Sequence, residues 1–414
     1  MGLLAGKRIL LGVGGGIAAY KAPELVRRLR DAGADVHVIV TDAGARFVSE
    51  LALEVVSEHP VGRSLWAPDR DSRIVHTDLG KSADLILVAP CTANLVARLR
   101  LGFADDLLST TILACKTPIL LCPAMNTEML DNPIVRAHLA DLAAMPRVTL
   151  LEPGVGLLAC GIVGPGRQPD PPEIIEATAS TLTPKDLSDL RVTLTAGSTH
   201  EPIDPVRYLA NHSTGTMGFE LARAFAARGA HVTLVSGPVT RRTPVGIAAR
   251  VDVVTAAQMA TAVDALWPAT DVLVMTAAVA DFRPRDPSAH KMKKRANPDE
   301  APTLPLARTD DILLGAARRA DRARVALVGF AAETDDVLAY AQAKRAEKDL
   351  DWIVANDVSG PEIGFGTGDN AGWLVARDDL PIALARAPKP EFADAVVARI
   401  APALAARFAS PRLP

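Results

Sequence analysis

A chain of 414 residues is too long for one ordinary hydrophobic core, so two or three domains are expected. With 49% hydrophobic and 22% charged residues, the composition is that of a globular protein and excludes general disorder. A formal net charge of −3 provides no field for nucleic acid, and only four cysteines, irregularly spaced, exclude a disulfide scaffold. A reducing, cytoplasmic setting is the expectation. The opening MGLLAGKRILLGVGGG has too short an apolar run to span a bilayer, and Lys7 and Arg8 interrupt it.

Apolar runs at 8–13, 35–41, 84–90, 118–124 and 147–153 are nearly continuous, as in strands buried on both faces of a parallel sheet. Between the first two, AAYKAPELVRRLRDAG reads as an amphipathic helix that stops at Gly33. The run GVGGGIAAYK (12–21) joins the first strand to that helix. Its backbone amides suit a phosphate, although a tight strand-to-helix turn explains the glycines equally well. His76 stands ahead of the third strand, where a lone histidine is more often a surface or satisfied core residue. Thr92 and Asn94 follow that strand and offer side-chain hydrogen bonds to a ligand. Asp105 and Asp106 fit the first turn of a helix, and Asn126 fits a helix N-cap. In LLACGIVGPGR (157–167), three glycines and Pro165 rule out a stable helix or a central strand. Cys160 is therefore expected on a mobile segment.

A polar stretch places a domain boundary near 180–190, giving domains of 1–180 and 190–414. The strand pattern then restarts at 191–197, 231–237, 271–278, 324–330 and 351–357. Each half reads as a doubly wound, Rossmann-like α/β domain, whose ligands sit beyond the carboxyl ends of the strands. The connection in LTAGSTHEPIDPVRYLANHSTGTMG (194–218) is far longer than the ~2–6 residues usual between a strand and a helix. It carries Asn211 among Gly197, Gly215 and Gly218. VMTAAVADFRPR brings Asp281 to a strand tip, where it can cap a helix or hold a metal or ribose. Lys291, Lys293, Lys294 and Arg295 form either a solvated loop or a partner for a triphosphate. Lys344 and Lys348, four residues apart, are expected on one helix face.

The first-half series GGIAAYK, His76, PCTANL with GFADDL, PAMNTEM and LACGIVGPGR resembles the flavin-dependent cysteine decarboxylases over about residues 5–175. The resemblance implies a flavodoxin-like flavoprotein domain with FMN near Gly15, Gly16, Ile17, Thr41, Thr92 and Asn94. It further implies His76 as the base for thiol oxidation, Asn126 as the carboxylate-binding residue and Cys160, on a flap, as the proton donor. A carboxylate beside a saturated carbon has no electron sink. Oxidation of the neighbouring thiol to a thioaldehyde creates one, and the electrons return after CO₂ leaves.

The second-half series TAGSTHEPIDPVRYLANHSTGTMG, AAVADFRP, KMKK, GFAAET and ANDV resembles the phosphopantothenate–cysteine ligases over about residues 189–405. That implies activation of the 4′-phosphopantothenate carboxylate by CTP, then attack by the L-cysteine amine with release of CMP. Lys291 is implied in cytidylate formation and Asn211 in the amide-forming step. Contacts to CTP are implied for Met275, Thr276, Ala277, Asp281, Asp310, Asp311, Ile312, Leu313, Phe330, Lys344 and Lys348. Mg²⁺ would accompany the triphosphate at Asp281. No GxxxxGK[ST] loop is present, so the nucleotide must be held another way. Both series in one chain are similar to the bacterial bifunctional coenzyme A biosynthesis proteins. For these the resemblance implies a homo-oligomer, a dodecamer of decarboxylase trimers and ligase dimers, with no nucleic-acid or membrane partner. A flavin-binding subunit without chemistry would be expected to have lost some of these residues. A nicotinamide oxidoreductase is disfavoured because no clean GxGxxG with a following acid stands out.

Overall fold

The computed structural model describes residues 2–66, 75–159, 161–293, 303–333, 336–357 and 367–409. Its contacts divide the chain into two compact units, Met1–Thr183 and Pro184–Pro414.

In the first unit, strands β1 (Arg8–Val13), β2 (Asp35–Val40), β3 (Leu85–Cys91), β4 (Ile119–Pro123) and β5 (Val148–Leu150) form a parallel sheet. Their order is β2-β1-β3-β4-β5, the flavodoxin-like arrangement, with the switch point between β1 and β3. Every residue of β3 and β4 is buried, which explains their continuous apolar runs. Close packing fixes Gly12, because a Cβ there would lie 2.5 Å from the Leu108 side chain. The helices are α1 (Ala22–Asp31), α2 (Glu50–Ser57), α3 (Val75–Ser82), α4 (Ala93–Leu101), α5 (Leu107–Leu113), α6 (Thr127–Asp131), α7 (Pro133–Ala143) and α8 (Pro171–Leu182). Helix α1 buries Leu25, Val26 and Leu29 and exposes Arg27 and Arg28, the stripe its periodicity requires. Asp106 caps α5 in a reciprocal capping box with Ser109, the structural role open to the acid pair.

The glycine-rich run is built into a hairpin. β6 (Gly154–Leu157) and β7 (Val163–Arg167) pair as an antiparallel hairpin outside the main sheet. A two-stranded ribbon tolerates Pro165, whose missing N–H a central strand would not. The Leu158 and Gly161 amides donate to the carbonyls of Ile162 and Leu158 and close the turn. Cys160 itself lies outside the described residues.

In the second unit, an eight-stranded sheet follows the order β12 (Ala249–Asp252), β11 (His231–Ser236), β8 (Arg191–Ala196), β13 (Val272–Met275), β16 (Ala326–Glu333), β17 (Trp352–Asp357), β18 (Asp369–Ala376) and β19 (Ile382–Pro388). Five of these match expected runs: β8, β11, β13, β16 and β17. Two short pairs, β9 (Glu201–Pro202) with β10 (Tyr208–Leu209) and β14 (Phe282–Pro284) with β15 (Leu306–Arg308), lie outside the sheet. The sequence pattern did not announce β12, β18 or β19. β17, β18 and β19 pair antiparallel at one edge, so this sheet is mixed rather than wholly parallel. In β18 a glycine is obligatory at 372, because a Cβ would come within 1.9 Å of the Ala355 carbonyl oxygen.

Helices cover both faces. α9 (Thr216–Ala227) and α13 (Lys389–Arg407) bury Phe219, Phe225 and Phe392 against Val272 and Val274. On the opposite face, α10 (Ala256–Leu266), α11 (Ile312–Ala317) and α12 (Val337–Glu347) supply Val263, Leu313 and Ala341 against Leu273 and Leu327. Alternate residues of β13 thus enter opposite cores. Truncating a fully buried phenylalanine in such a layer costs ~3–5 kcal/mol.

Candidate active sites

At the carboxyl ends of β1, β3 and β4 lies a cavity of about 670 Å³. Gly15, Gly16 and Ile17 line it after β1, Thr92 and Asn94 after β3, and Asn126 after β4. A Cβ at Gly15 would fall 2.2 Å from that of Ala43, so no other residue fits there. Gly16 precedes the short helical turn Ile17–Lys21 and supplies no side-chain cap, leaving its amides for a ligand. The Thr92 hydroxyl caps α4 by accepting the Leu95 N–H at 3.4 Å, which presents exposed Asn94 in the first turn. Asn126 Oδ1 accepts the Glu128 N–H at 2.7 Å. That cap fixes the orientation of the amide.

The hairpin is tied to the same turn. The Met125 N–H donates to the Gly166 carbonyl at 3.0 Å, and the Thr127 hydroxyl to the Pro165 carbonyl at 2.7 Å. Gly166 has φ +127°, and a Cβ there would lie 2.1 Å from the Met125 carbonyl oxygen. Leu157, Leu158 and Ala159 of the hairpin line the cavity up to the position before Cys160. Cys91, Cys115 and Cys122 are free but buried. Burial pushes the Cys91 thiol up to about 12 and the Cys122 thiol higher still, so both remain protonated.

Two expected residues do not line this cavity. The Thr41 hydroxyl donates to the Val13 carbonyl at 3.1 Å and accepts the Gly44 N–H at 3.0 Å, shaping the turn after β2. His76 lies half-buried on α3. Conversely, Tyr20, Lys21, Arg167 and Gln168 line the wall although no sequence pattern marks them for it. Arg167 and Lys21 both reach Asp170, at 2.8 and 3.5 Å. Gln168 is 3% exposed, and its Oε1 has no partner among the described residues. The volume falls within the ~300–1,000 Å³ range of cofactor pockets. The apolar Ile17, Met125 and Leu158 with glycine amides at one end suit a flat ring carrying a phosphate.

In the second unit a smaller cleft of about 140 Å³ lies at the carboxyl ends of β13, β16 and β17, against the start of α9. Thr276, Ala277 and Phe330 line it, as do Gly215 and Gly218. A Cβ at Gly218 would strike both Ala196 and Thr276 at 2.5 Å. Gly215 has φ +72° and leaves α9 without a side-chain cap. The cleft is large enough for part of a nucleotide only. Sequence reasoning missed Asn370 and Lys389 here, and did not assign Asn356 of the ANDV run to the site. Lys389 is 4% exposed, donates to the Thr367 carbonyl at 2.7 Å, and has its pKa depressed by burial.

The other expected residues do not line this cleft, and separate hydrogen bonds tie several of them to neighbouring segments. Asn211 Nδ2 donates to the Val279 carbonyl at 3.1 Å, joining the long loop to the segment after β13. The Thr309 N–H donates to the Asp281 carbonyl at 3.0 Å and its hydroxyl to that of Ala280. Asp310 is exposed beside it, and Ile312 half-buried. Asp311 caps α11 through the Leu314 N–H at 3.0 Å and pairs with Lys348 Nζ at 2.5 Å. Burial alone would raise the Asp311 carboxyl, but the Lys348 bond, the Leu314 N–H and the charges of both lysines lower it on balance. Lys344 is in the last turn of α12 and Lys348 is its C-cap, its N–H donating to the Lys344 carbonyl at 3.1 Å, and the charges of both act on Asp311. Met275 and Leu313 have their side chains in the core, leaving backbone groups for any ligand.

Lys291 stands next to a two-point clamp. The fully buried Asp204 carboxylate accepts the Met292 N–H at 3.1 Å, and the Arg207 guanidinium donates to the Met292 carbonyl at 3.0 Å. The Arg207 guanidinium and three backbone N–H groups hold Asp204 well below the usual carboxylate range. Lys294 and Arg295 lie outside the described residues. Asp281 belongs to no cluster of three or more potential metal ligands among the described residues. No helix among them is long and apolar enough to cross a membrane.

Residues 2–183 match the family model described as Flavoprotein, and residues 187–404 match the DNA/pantothenate metabolism flavoprotein C-terminal domain. The chain is 47% identical over 376 residues to the coenzyme A biosynthesis bifunctional protein CoaBC of Escherichia coli (strain K12), covering 91% of this chain and 92% of that one. Identity to the Bacillus subtilis (strain 168) protein of the same name is 44% over 389 residues, covering 92% and 94%. A crystal structure of the C-terminal domain of a protein of that name is 35% identical, covers 53% of this chain and 98% of its own, and has a TM-score of 0.45.

Proposed function

Because the chain belongs to the family of bifunctional coenzyme A biosynthesis proteins, we propose that it joins L-cysteine to 4′-phosphopantothenate with CTP and then decarboxylates the product to 4′-phosphopantetheine with FMN. Enzymatic decarboxylation and ligation follow from the family; the cofactor, the nucleotide and the residue roles are our reading. The observation that carries it is the first cavity, which gathers Gly15, Gly16, Thr92, Asn94 and Asn126 beside the hairpin leading to Cys160.

FMN, when bound, supplies a reversible two-electron oxidation of the substrate thiol. The glycine amides would receive its phosphate, and the apolar wall its ring. Asn126, oriented by its cap, binds the substrate carboxylate. His76 removes the thiol proton, and Cys160 delivers a proton to the carbon that CO₂ leaves. Water is excluded by the hairpin, which exposes apolar Leu157 and Val163. His76, half-buried on α3, lies off the cavity wall of its own chain, and Ile17 and Tyr20 expose apolar surface beside that wall. Both facts support a homo-oligomer in which a neighbouring copy completes the site. A trimer of this half, with dimers of the second half building a dodecamer, is the assembly proposed.

In the second unit, attack of the substrate carboxylate on CTP forms the acyl-cytidylate and releases pyrophosphate, and Lys291 balances the developing charge. The cysteine amine then displaces CMP, with Asn211 stabilising that step. Asp281 would hold Mg²⁺ with the triphosphate, while Lys344 and Lys348 meet phosphate charge. The cytoplasm is the compartment proposed for this pathway step.

The test is direct. Purified protein should carry a yellow flavin and, with CTP, 4′-phosphopantothenate and cysteine, release pyrophosphate and then CO₂ in equal amounts. Pyrophosphate release without CO₂ would remove the decarboxylase reading, and turnover of a nicotinamide by colourless protein would remove both.

A further inference from the structure

We propose that Asp35, His37 and His59 form a site for a borderline divalent transition ion, zinc above all, at the amino-terminal end of the first unit's sheet. It lies at the end opposite the cavity, and nothing in the decarboxylation or ligation requires it. Asp35 and His37 are two residues apart on the edge strand β2, so their side chains share one face. His59 comes from a separate segment, just after α2. There Glu58 adopts φ +61°, and the buried Ser57 hydroxyl donates to the His59 carbonyl at 3.1 Å while accepting its N–H at 3.3 Å. Both backbones are therefore fixed before any ion arrives.

His59 Nε2 lies 2.7 Å from one Asp35 oxygen and His37 Nε2 3.4 Å from the other. Both Nε2 atoms therefore face the Asp35 carboxylate, and the rings stack with centroids 4.0 Å apart and 11° between their planes. All three donor atoms fall within 4.8 Å of one another. Donors around a four-coordinate zinc ion, with bonds of ~2.0–2.1 Å, sit roughly 3.3 Å apart. An ion shared by both must lie in the plane of each imidazole, so binding requires the two rings to rotate out of their stack as the donors close on it. Two imidazoles and one carboxylate select zinc, nickel, cobalt or copper over magnesium and calcium, which prefer all-oxygen shells. Side-chain exposures of 24%, 35% and 38% leave the remaining coordination position to water. Arg8 Nε, 2.8 Å from the Asp35 carboxylate, supplies the outer hydrogen bond that ligating carboxylates usually accept. An ion here would clip the edge strand to the segment after α2 and stabilise the folded unit by mass action.

The experiment is calorimetric titration of ZnCl₂ into the flavin-loaded full chain, with exposed thiols alkylated beforehand so that Cys160 cannot compete. One site per chain is expected, weakened at least tenfold in His37→Gln and in His59→Gln and unchanged in His138→Gln, a helix-surface control. MgCl₂ should give no comparable heat. A zinc-induced rise in the first unit's melting temperature should appear in the wild type and vanish in both site variants, which should retain their flavin and their ligation activity. Absence of a wild-type site, or equal binding by the double variant, overturns the proposal and leaves the trio a hydrogen-bonded surface cluster.

Discussion

Replacing Gly166 by alanine tests whether the hairpin matters to decarboxylation. The new Cβ would meet the Met125 carbonyl oxygen at 2.1 Å, a backbone atom that cannot rotate away. A φ of +127° adds a dihedral penalty of ~1–2 kcal/mol for any residue with a Cβ. Separating the strands also forfeits the 3.0 Å bond from the Met125 N–H, about 1 kcal/mol net. Together these shift docking of the hairpin by about 3 kcal/mol, on the order of a hundredfold in the docked-to-open ratio. Amide exchange across 154–167 should accelerate by that order, CO₂ release should fall at least tenfold, and pyrophosphate release should not change. Gly161→Ala is the comparison. Its φ of +80° carries the dihedral penalty, but nothing lies within 4 Å of the new methyl, so its effect should be much smaller. Wild-type exchange and wild-type CO₂ release in the Gly166 variant would refute the reasoning.

Alkylation of the native protein should modify Cys160, the thiol proposed to act on substrate, ahead of the buried thiols. Cys91, at about 12, and Cys122 should stay unmodified up to pH ~10 unless the chain unfolds, as peptide mapping would show. Cys160→Ser should abolish aminothiol formation while amide formation continues, and undiminished product would end its assignment as proton donor. Asp204→Asn should release the Met292 clamp, speed tryptic cleavage at Lys291 and Lys293, and slow cytidylate formation more than it weakens cysteine binding; unchanged cleavage would show that the clamp does not order the loop. Arg223→Met removes the 8%-exposed guanidinium between Glu220 and Asp394, joining α9 to α13, and should cost about 3 kcal/mol in urea unfolding of the second unit. A loss below ~1 kcal/mol would mean the two carboxylates find other partners.

What was legible in the sequence follows from the periods involved. Strands such as β3, buried on both faces, leave an unbroken apolar run, and the residues that follow them do line the cavity. β18 and β19 leave no such run, because both are partly exposed and β18 is interrupted by Gly372. The glycines of 161–166 suggest mobility when read as missing side chains. Two of them instead permit close approach, since Gly164 and Gly166 let the hairpin reach the turn bearing Asn126. Asp204 and Lys389 were invisible for a different reason. Asp204 holds an amide 88 residues away, and Lys389 enters the cleft from the last helix. No local pattern encodes contacts of that range. The motif EPIDPVR did, however, contain the acid–base pair three residues apart that forms the clamp.

Several residues proposed for chemistry serve a structural role that would orient them for it. Asn126 has to cap α6 for its amide to be oriented at the cavity wall, and Thr92 caps the turn that presents Asn94. Asp311 caps α11 with one oxygen and holds Lys348 with the other. A capping acceptor loses rotamer freedom once, on folding, and is then preorganised for a ligand at no further entropic cost. Substituting Asn126 by aspartate separates the two contributions, since aspartate caps equally well but brings a negative charge to a position proposed to receive a carboxylate. Stability should therefore be retained while decarboxylation fails through substrate repulsion, read as a rise in KM that alanine, which loses the cap as well, would not reproduce without a fall in melting temperature. If aspartate left KM unchanged, the carboxylate would have to bind elsewhere in the cavity.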